Sequence, residues 1–474
     1  MEFTEVTDRF LDLKAELGLL DLEVDGVPFW ERIRDDVLRN LLQELGVVGQ
    51  AHTHAHPSPG EALYKLLRNL FVANPLRAPE ADLLVWGHER RKRLEDGRWW
   101  DVYCDPVLER IEDDWVYLER EHEGGHLTPA RTEQVYYLDW INYLSRFPAK
   151  ALPGPITPAS VVFSAAERGT VDRVEREVAD RFGAAVDVGT LLSKRLLRRR
   201  MKLPLYRRLI RRVDPDLAVV VVSYGRETFV EACRAEGVPV AELQHGELSE
   251  YHLGYHYPNG SKRDFPDYFL AFGEFWTTAA DFPIPEERIL PVGYPYLERR
   301  AGRFADVTPE RQVVFLSQGE PGERLSRVAT EFARLDHDWE VVYKLHPGES
   351  SRWREAYPWL EDAPLRIVDG SEPPLYELFA RSSAQVGAYS TALYEGLYFD
   401  LDTYVLDVPG IECVRGLLET DGATLVRSAG ELAEHLRAST GGTGVDLDRF
   451  FRRGAEENVV AALREIGTRR SVDG

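Results

Sequence analysis

The chain has 474 residues, past the roughly 250–300 at which a single hydrophobic core stops growing, so one small module is excluded. Its 58 Lys and Arg stand against 80 Asp and Glu, a formal charge of −22, which argues against a wholly basic nucleic-acid binder; no nucleic-acid partner is expected. Eight Lys beside fifty Arg in so acidic a chain suit a halophilic protein kept hydrated by its carboxylates, with a high-Arg codon bias as the plainer alternative.

Met1–Arg9 has neither a basic n-region nor an apolar h-region, so no signal peptide is expected. The longest apolar stretch, Leu217–Val222, is a third of the roughly 18 residues a membrane span needs. The three cysteines, Cys104, Cys233 and Cys413, are widely spaced with no C-x-x-C, which fits a reducing compartment. A cytoplasmic protein, soluble or peripheral on the inner face of a membrane, is the expectation.

Along the chain, Phe10, Leu13, Leu17 and Leu20 open an amphipathic segment, and Trp30, Ile33, Val37, Leu41 and Leu42 recur at helical spacing. Leu83–Trp86 and Trp115–Leu118 read as buried strands. A helix-rich connector follows from about Pro158 to Arg212. From Asp216 strands alternate with helices: strands at Leu217–Val222, Val238–Leu243 and Tyr268–Ala271, with a helix at Glu227–Glu236. A second series begins at Gln312, with strands at Val313–Leu316, Val341–Leu345, Leu365–Val368, Ala384–Val386 and Thr403–Leu406. Such alternation predicts an α/β protein with two parallel, Rossmann-like sheets facing each other. The expected divisions are 1–215 (N-terminal α/β region with helical connector), 216–305 (the rest of the first Rossmann-like domain, acceptor side) and 306–474 (the second, donor-side domain).

On open parallel sheets ligands bind beyond the carboxyl ends of the strands, so residues just after strands are the candidates. Lys344 and His346 leave one strand, and Pro347-Gly348 turns the chain away; such groups suit a phosphate, although a strand-capping histidine is the alternative. Gly387-Ala-Tyr-Ser390-Thr391 opens a helix, where hydroxyls and free N–H groups beside a small residue make an anion site. An ordinary Ser/Thr N-cap is the alternative there. Glu395, one turn on, could accept hydrogen bonds from ribose hydroxyls. Gln244-His245-Gly246-Glu247 follows another strand and offers His245 as a general base with Glu242 or Glu247 as its partner, or else a structural histidine.

In this order, Gln244-His245-Gly246, Gly293-Tyr-Pro295, Lys344-Leu-His346-Pro347 and Tyr389-Ser390-Thr391 with Glu395 resemble the motifs of CDP-glycerol glycerophosphotransferases. The His-Pro and Ser/Thr pair also resembles that of bacterial sialyl- and polysialyltransferases. The resemblance covers roughly residues 216–410. It implies a GT-B fold and a CMP- or CDP-linked donor taken as substrate, with no other cofactor and no metal. His346 would contact the donor phosphates, Ser390 and Thr391 would hold a phosphate, and His245 would be the base. The chain has Ala388 where the glycerophosphotransferases carry an aspartate.

The reaction implied is transfer of a sugar or polyol phosphate to a hydroxyl of a surface or capsular polysaccharide or of a lipid-linked acceptor. Lys344, His346 and the Ser390 turn would stabilise the leaving nucleotide. A nucleotide-sugar 2-epimerase-like isomerase and a non-catalytic GT-B scaffold are the alternatives.

Between Lys194 and Arg212 ten of nineteen positions are basic and none acidic, with leucines near helical spacing and an interruption expected at Pro204. This island suits an anionic membrane surface holding a lipid-linked acceptor, or an anionic glycan, with a solvated interdomain helix paired with the acidic body as the alternative; because salt weakens either electrostatic role, the apolar face is the better predictor of membrane contact. His52, His54 and His56 lie among prolines and glycine, as in an exposed loop. His252 and His256 flank Gly254 and are not expected to bind metal.

Overall fold

The computed structural model describes residues 2–47, 58–89, 91–122, 124–151, 161–258, 260–319, 321–370, 372–439, 441–442 and 444–473; His52, His54 and His56 lie outside them. Seven strands form the first sheet: β1 (Leu83–Trp86), β2 (Trp115–Glu119), β3 (Val135–Tyr137), β4 (Leu217–Val221), β5 (Val240–Leu243), β6 (Tyr268–Ala271) and β7 (Ile289–Pro291). Their order is β7-β6-β5-β4-β1-β2-β3, and every pairing is parallel. The central strands are buried along their whole length. Uninterrupted apolar runs such as Leu217–Val221 therefore suit them, because helices cover both faces.

The second sheet contains β8 (Gln312–Leu316), β9 (Glu340–Lys344), β10 (Arg366–Val368), β11 (Ala384–Gly387), β12 (Asp402–Leu406) and β13 (Thr424–Val426). Its order is β10-β9-β8-β11-β12-β13, again all parallel. Both sheets share one winding: the first strand of each lies beside its fourth, and the connections diverge there. A crevice opens at that point beyond the carboxyl ends, between β1 and β4 in one sheet and between β8 and β11 in the other. The molecule is thus two Rossmann-like units, as the alternating pattern predicted.

Helices α1 (Phe3–Leu17) and α2 (Phe29–Glu44) belong to the N-terminal region, followed by α3 (Asp139–Ala151), α4 (Ala165–Phe182) and α5 (Val188–Val213). Phe10, Trp30, Val37, Val174 and Leu192 share a small core of their own. The second half of α5 instead seats Tyr206, Leu209, Ile210 and Val213 on the first sheet. The helix runs straight through Pro204, where the sequence predicted an interruption. Pro204 and Arg200 are both exposed, so water can satisfy the carbonyl that proline deprives of a donor.

Residues 1–215 and 216–305 contribute to one sheet, since β1, β2 and β3 precede Asp216. The last helix, Ala455–Asp473, also returns to this unit: Val459, Leu463 and Ile466 pack with Leu83, Val219 and Leu270. Two glycines admit the crossing chain. A Cβ on Gly273 would lie 2.4 Å from the Arg449 carbonyl oxygen. One on Gly293, where φ is +98°, would lie 2.2 Å from that of Arg452. Gly293→Ala should therefore cost roughly 2–4 kcal/mol, through backbone strain and displacement of the crossing. A urea-unfolding midpoint equal to that of the parent would show that the crossing does not need this glycine.

Candidate functional site

The carboxyl edge of the second sheet carries three chain exits at one level. Leu316 of β8 pairs with Lys344 of β9, and Phe315 with Val386 of β11; Gln318, His346 and Tyr389 consequently leave neighbouring strands together. The Gln318 side chain grips the backbone of Tyr389 twice, donating to its carbonyl at 2.8 Å and accepting from its N–H at 3.2 Å. That clamp holds the Ser390-Thr391 turn, and the short helix α6 it opens (Thr391–Leu397), at the crevice between β8 and β11.

The sequence-predicted donor residues all lie on this edge, each with a protein contact. His346 is exposed; its Nδ1 accepts from the Gly348 N–H at 3.1 Å, which leaves Nε2 for a ligand. Pro347 begins the single 3-10 turn that makes this bond. Lys344 donates to the Gly370 carbonyl, on the side away from β11, and burial lowers its basicity. Ser390 Oγ accepts from the Ala392 N–H at 3.2 Å as an ordinary N-cap. Gly387, expected to let a phosphate approach, has a packing reason instead: a Cβ there would meet Leu393 at 2.9 Å. Ala388 sits in the apolar cluster with Val386 and Leu406, an environment in which an aspartate would be unpaired and costly. Glu395 faces the other unit, where burial raises its pKa against the pull of Lys92.

Across the cleft, the first sheet presents His245. Gln244 fixes the turn, accepting from the Phe272 N–H at 2.7 Å and donating to the Gly246 carbonyl at 2.8 Å. The carbonyl of His245 accepts from the Tyr103 hydroxyl at 2.6 Å. Its ring lies between two phenols, with Tyr255 Oη 3.3 Å from Nδ1 and Tyr224 Oη 3.3 Å from Nε2. Tyr255 donates to Glu242 Oε1 at 2.5 Å, and Ser223 N–H donates to the same oxygen at 2.9 Å. Glu242 is thus the predicted partner of His245 at one remove, through Tyr255. While Glu242 is ionised, Tyr255 spends its one proton on the carboxylate and turns a lone pair to Nδ1. The ring then carries its proton at Nδ1 and its lone pair at Nε2, toward the Tyr224 hydroxyl. Burial, with His252, His88 and Arg226 nearby, holds the His245 pKa well below its usual value, so the ring is neutral at neutral pH.

Glu247 serves elsewhere. Its N–H donates to Thr391 Oγ1 at 3.1 Å, a direct bond between the two units. Its carboxyl is buried beside Ser249, near Tyr394 and Cys413, and burial pushes its pKa up to about 7. Among the described residues Oε1 has no hydrogen-bond partner. A cavity of about 840 Å³ flanks this joint, lined by Leu248, Phe275, Tyr394 and Phe450 and by carboxylates including Glu250 and Glu412. None of His245, His346 and Ser390 lines it.

Sequence reasoning missed Gln318, His88, Tyr103, Tyr224 and Tyr255. Gln318, His88 and Tyr224 follow strands directly, the signal that found His245 and His346. Tyr255 and Tyr103 come from loops distant in sequence and carry no such mark. Among the described residues no group of three or more His, Cys, Asp or Glu is disposed to hold a metal ion, and no helix is long and apolar enough to cross a membrane.

No protein-family model and no curated protein matches the sequence. Among solved structures, the chain is similar to the UDP-GlcNAc 2-epimerase of Methanocaldococcus jannaschii, at 13% identity over 81% of this chain and 99% of that one, TM-score 0.48. It is also similar to the wall teichoic acid polymerase TagF, at 12% identity over 88% and 98%, TM-score 0.42, and to MurG of Acinetobacter baumannii, at 11% over 57% and 79%, TM-score 0.38. The fold itself is defined by the strand order and pairing described above.

The raised Glu247 pKa has a stability consequence. The folded protein keeps this proton up to about pH 7, whereas the unfolded chain releases it near the ordinary glutamate value of 4.5. Between those values the native state binds more protons, so stability falls as pH rises through the window and stays lower above it. Glu247→Gln should remove that fall, gaining on the order of 2 kcal/mol at pH 8 and little at pH 4.5. Melting curves for parent and variant that remain parallel from pH 4.5 to 8 would contradict the assignment.

Proposed function

We propose that the chain is a GT-B-type transferase that moves a sugar or polyol phosphate from a nucleotide-activated donor to a hydroxyl of a glycan or lipid-linked acceptor. The observation that carries this reading is the contact between Glu247 N–H and Thr391 Oγ1. It brings the His245 turn of one strand edge against the Ser390-Thr391 turn of the other. A base candidate and a phosphate-binding candidate thus meet across one cleft.

In this reading the nucleotide diphosphate lies at the β8/β11 crevice. His346 Nε2 and the hydroxyl protons of Ser390 and Thr391 are its donors; Lys344, tied to the Gly370 carbonyl on the far side of β9, adds positive charge at a distance. Glu395 is the proposed acceptor for the ribose hydroxyls. The acceptor oxygen forms its new bond to the anomeric carbon, or to phosphorus for a polyol phosphate, as the bond to the nucleotide breaks. The bond's electrons leave with the nucleotide phosphate, and the acceptor proton passes to His245 Nε2. Because negative charge grows on the nucleotide while the imidazole becomes cationic, the low His245 pKa is offset as the reaction proceeds.

His346→Ala and Ser390→Ala should each weaken nucleotide binding, by about tenfold for loss of one charge-assisted or phosphate-directed hydrogen bond. Titration calorimetry after a stability screen against CMP, CDP, UDP, GDP and ADP reads this directly. Unchanged affinity in both variants would remove the donor site. His245→Ala should leave that affinity within about twofold while turnover falls by roughly a hundredfold or more; full turnover in the variant would exclude it as the base. Epimerised donor formed with no acceptor present would replace transfer by isomerisation. Tight nucleotide binding with no turnover on any acceptor would indicate a scaffold.

A further inference from the structure

We propose that the other crevice, where the first sheet changes direction between β1 and β4, holds an oxyanion subsite of the phosphate class. A cavity of about 120 Å³ lies there, the space of about four waters, enough for one tetrahedral oxyanion. Six cationic side chains line it: Arg32, Arg120, Arg195, Arg198, Lys202 and Arg226. They come from separate parts of the chain. Arg195, Arg198 and Lys202 lie at i, i+3 and i+7 of α5, on one face. Arg226 comes from the turn after β4, Arg120 from the exit of β2, and Arg32 from α2.

Several of these cations are positioned by partners. Arg226 donates to the carbonyls of Trp86 and Gly87 at 2.8 and 3.0 Å. Arg195 pairs with Asp36 at 2.6 Å, Arg120 with Glu89 at 3.1 Å, and Lys202 donates to Asn142 at 2.7 Å. Arg32 pairs with Glu231 and Asp264, yet its buried Nε has no hydrogen-bond partner among the described residues. Glu227 is the one carboxylate in the lining, and it is held by the Gly225 N–H and Lys262. Arg226 also faces Glu89 at 3.6 Å, and burial, with Arg120 close by, lowers its pKa even though Glu89 opposes the shift. An oxyanion entering the cavity would meet cationic donors from four separate parts of the chain at once.

The place also has a meaning for the reaction. Tyr224, two residues before Arg226, is the phenol at His245 Nε2. A phosphate in this crevice would lie on the acceptor side, across from the donor residues, so the acceptor would be a phosphate-bearing chain. That last step rests on the transferase reading, whereas the subsite does not. Membrane insertion of α5 is the weaker source of phosphate, because Leu192, Leu196, Leu197, Leu209 and Ile210 are buried and leave no apolar face for a bilayer.

Inorganic phosphate, titrated by calorimetry at low salt, tests the subsite. Arg198→Ala/Lys202→Ala should weaken its binding at least about tenfold, and His346→Ala/Ser390→Ala should leave binding at this crevice intact. Arg198→Gln, a single change at an exposed position, should weaken it in the same direction if the double variant melts early. Phosphate affinity unchanged by the α5 variants, or lost only in the donor-edge variant, would overturn the proposal. Nucleotide affinity should be equal in parent and α5 variants. A protein that binds phosphate at this crevice but no nucleotide would sink the transferase reading and keep the subsite. Competition by glycerol 1-phosphate without flotation on phosphatidylglycerol vesicles would assign the phosphate to a soluble acceptor. Flotation lost in the α5 variants would assign it to a lipid headgroup.

Discussion

The aromatic joint between the two sheets is the constraint on which the site depends. Tyr394 of α6 lies against Trp276 and Phe275, with ring centroids 4.6 and 5.7 Å apart, and Phe450 closes the group at 4.7 Å from Phe275. The Trp276 indole N–H donates to the Phe450 carbonyl at 2.8 Å. All four rings are buried, so their apolar area is removed from water between the two units. Because Tyr394 is three residues past Thr391 on the same helix, seating the ring also seats the hydroxyl that meets Glu247.

The same joint explains where charge is tolerated. Glu247 lies at its edge with an unpartnered oxygen, and ionisation there opposes the packing around it. Glu242 is buried too, with its pKa likewise raised and Oε2 unpartnered among the described residues, but its Oε1 receives a phenol and a backbone N–H, and the phenol links it to His245 through Tyr255. Two glutamates five residues apart thus have different roles, set by what the surrounding loops bring to them.

The paired windings divide the two chemistries. Each sheet reverses direction between its first and fourth strands, and each reversal opens a crevice beside the cleft. One is lined by hydroxyls, an amide and a histidine exit; the other is lined by arginines. In so acidic a protein, much of the basic helix meets local carboxylates: Arg195 meets Asp36, Arg199 meets Glu231, Arg200 meets Asp25, and Arg207 and Arg211 share Glu236. Arg195, Arg198 and Lys202 also line the anion-sized cavity.

From the sequence alone, the strand–helix alternation determined two parallel sheets, because buried strands must be apolar throughout and crossover helices must separate them. It also determined that His245, His346 and Ser390 stand at strand exits, since Gly and Pro mark where the chain turns. Their environments were decided only by tertiary structure. The Glu242–Tyr255–His245 connection links residues whose spacing has no periodicity, and the short edge strands β3 and β13 are too brief to register as a pattern. The fate of the basic helix was likewise invisible, because its charge and leucine spacing are the same whether the apolar face meets a bilayer or a core. Packing of α5 on the first sheet resolved that question, and the return of the C-terminal helix Ala455–Asp473 to the same unit depended on contacts with strands far away in the chain.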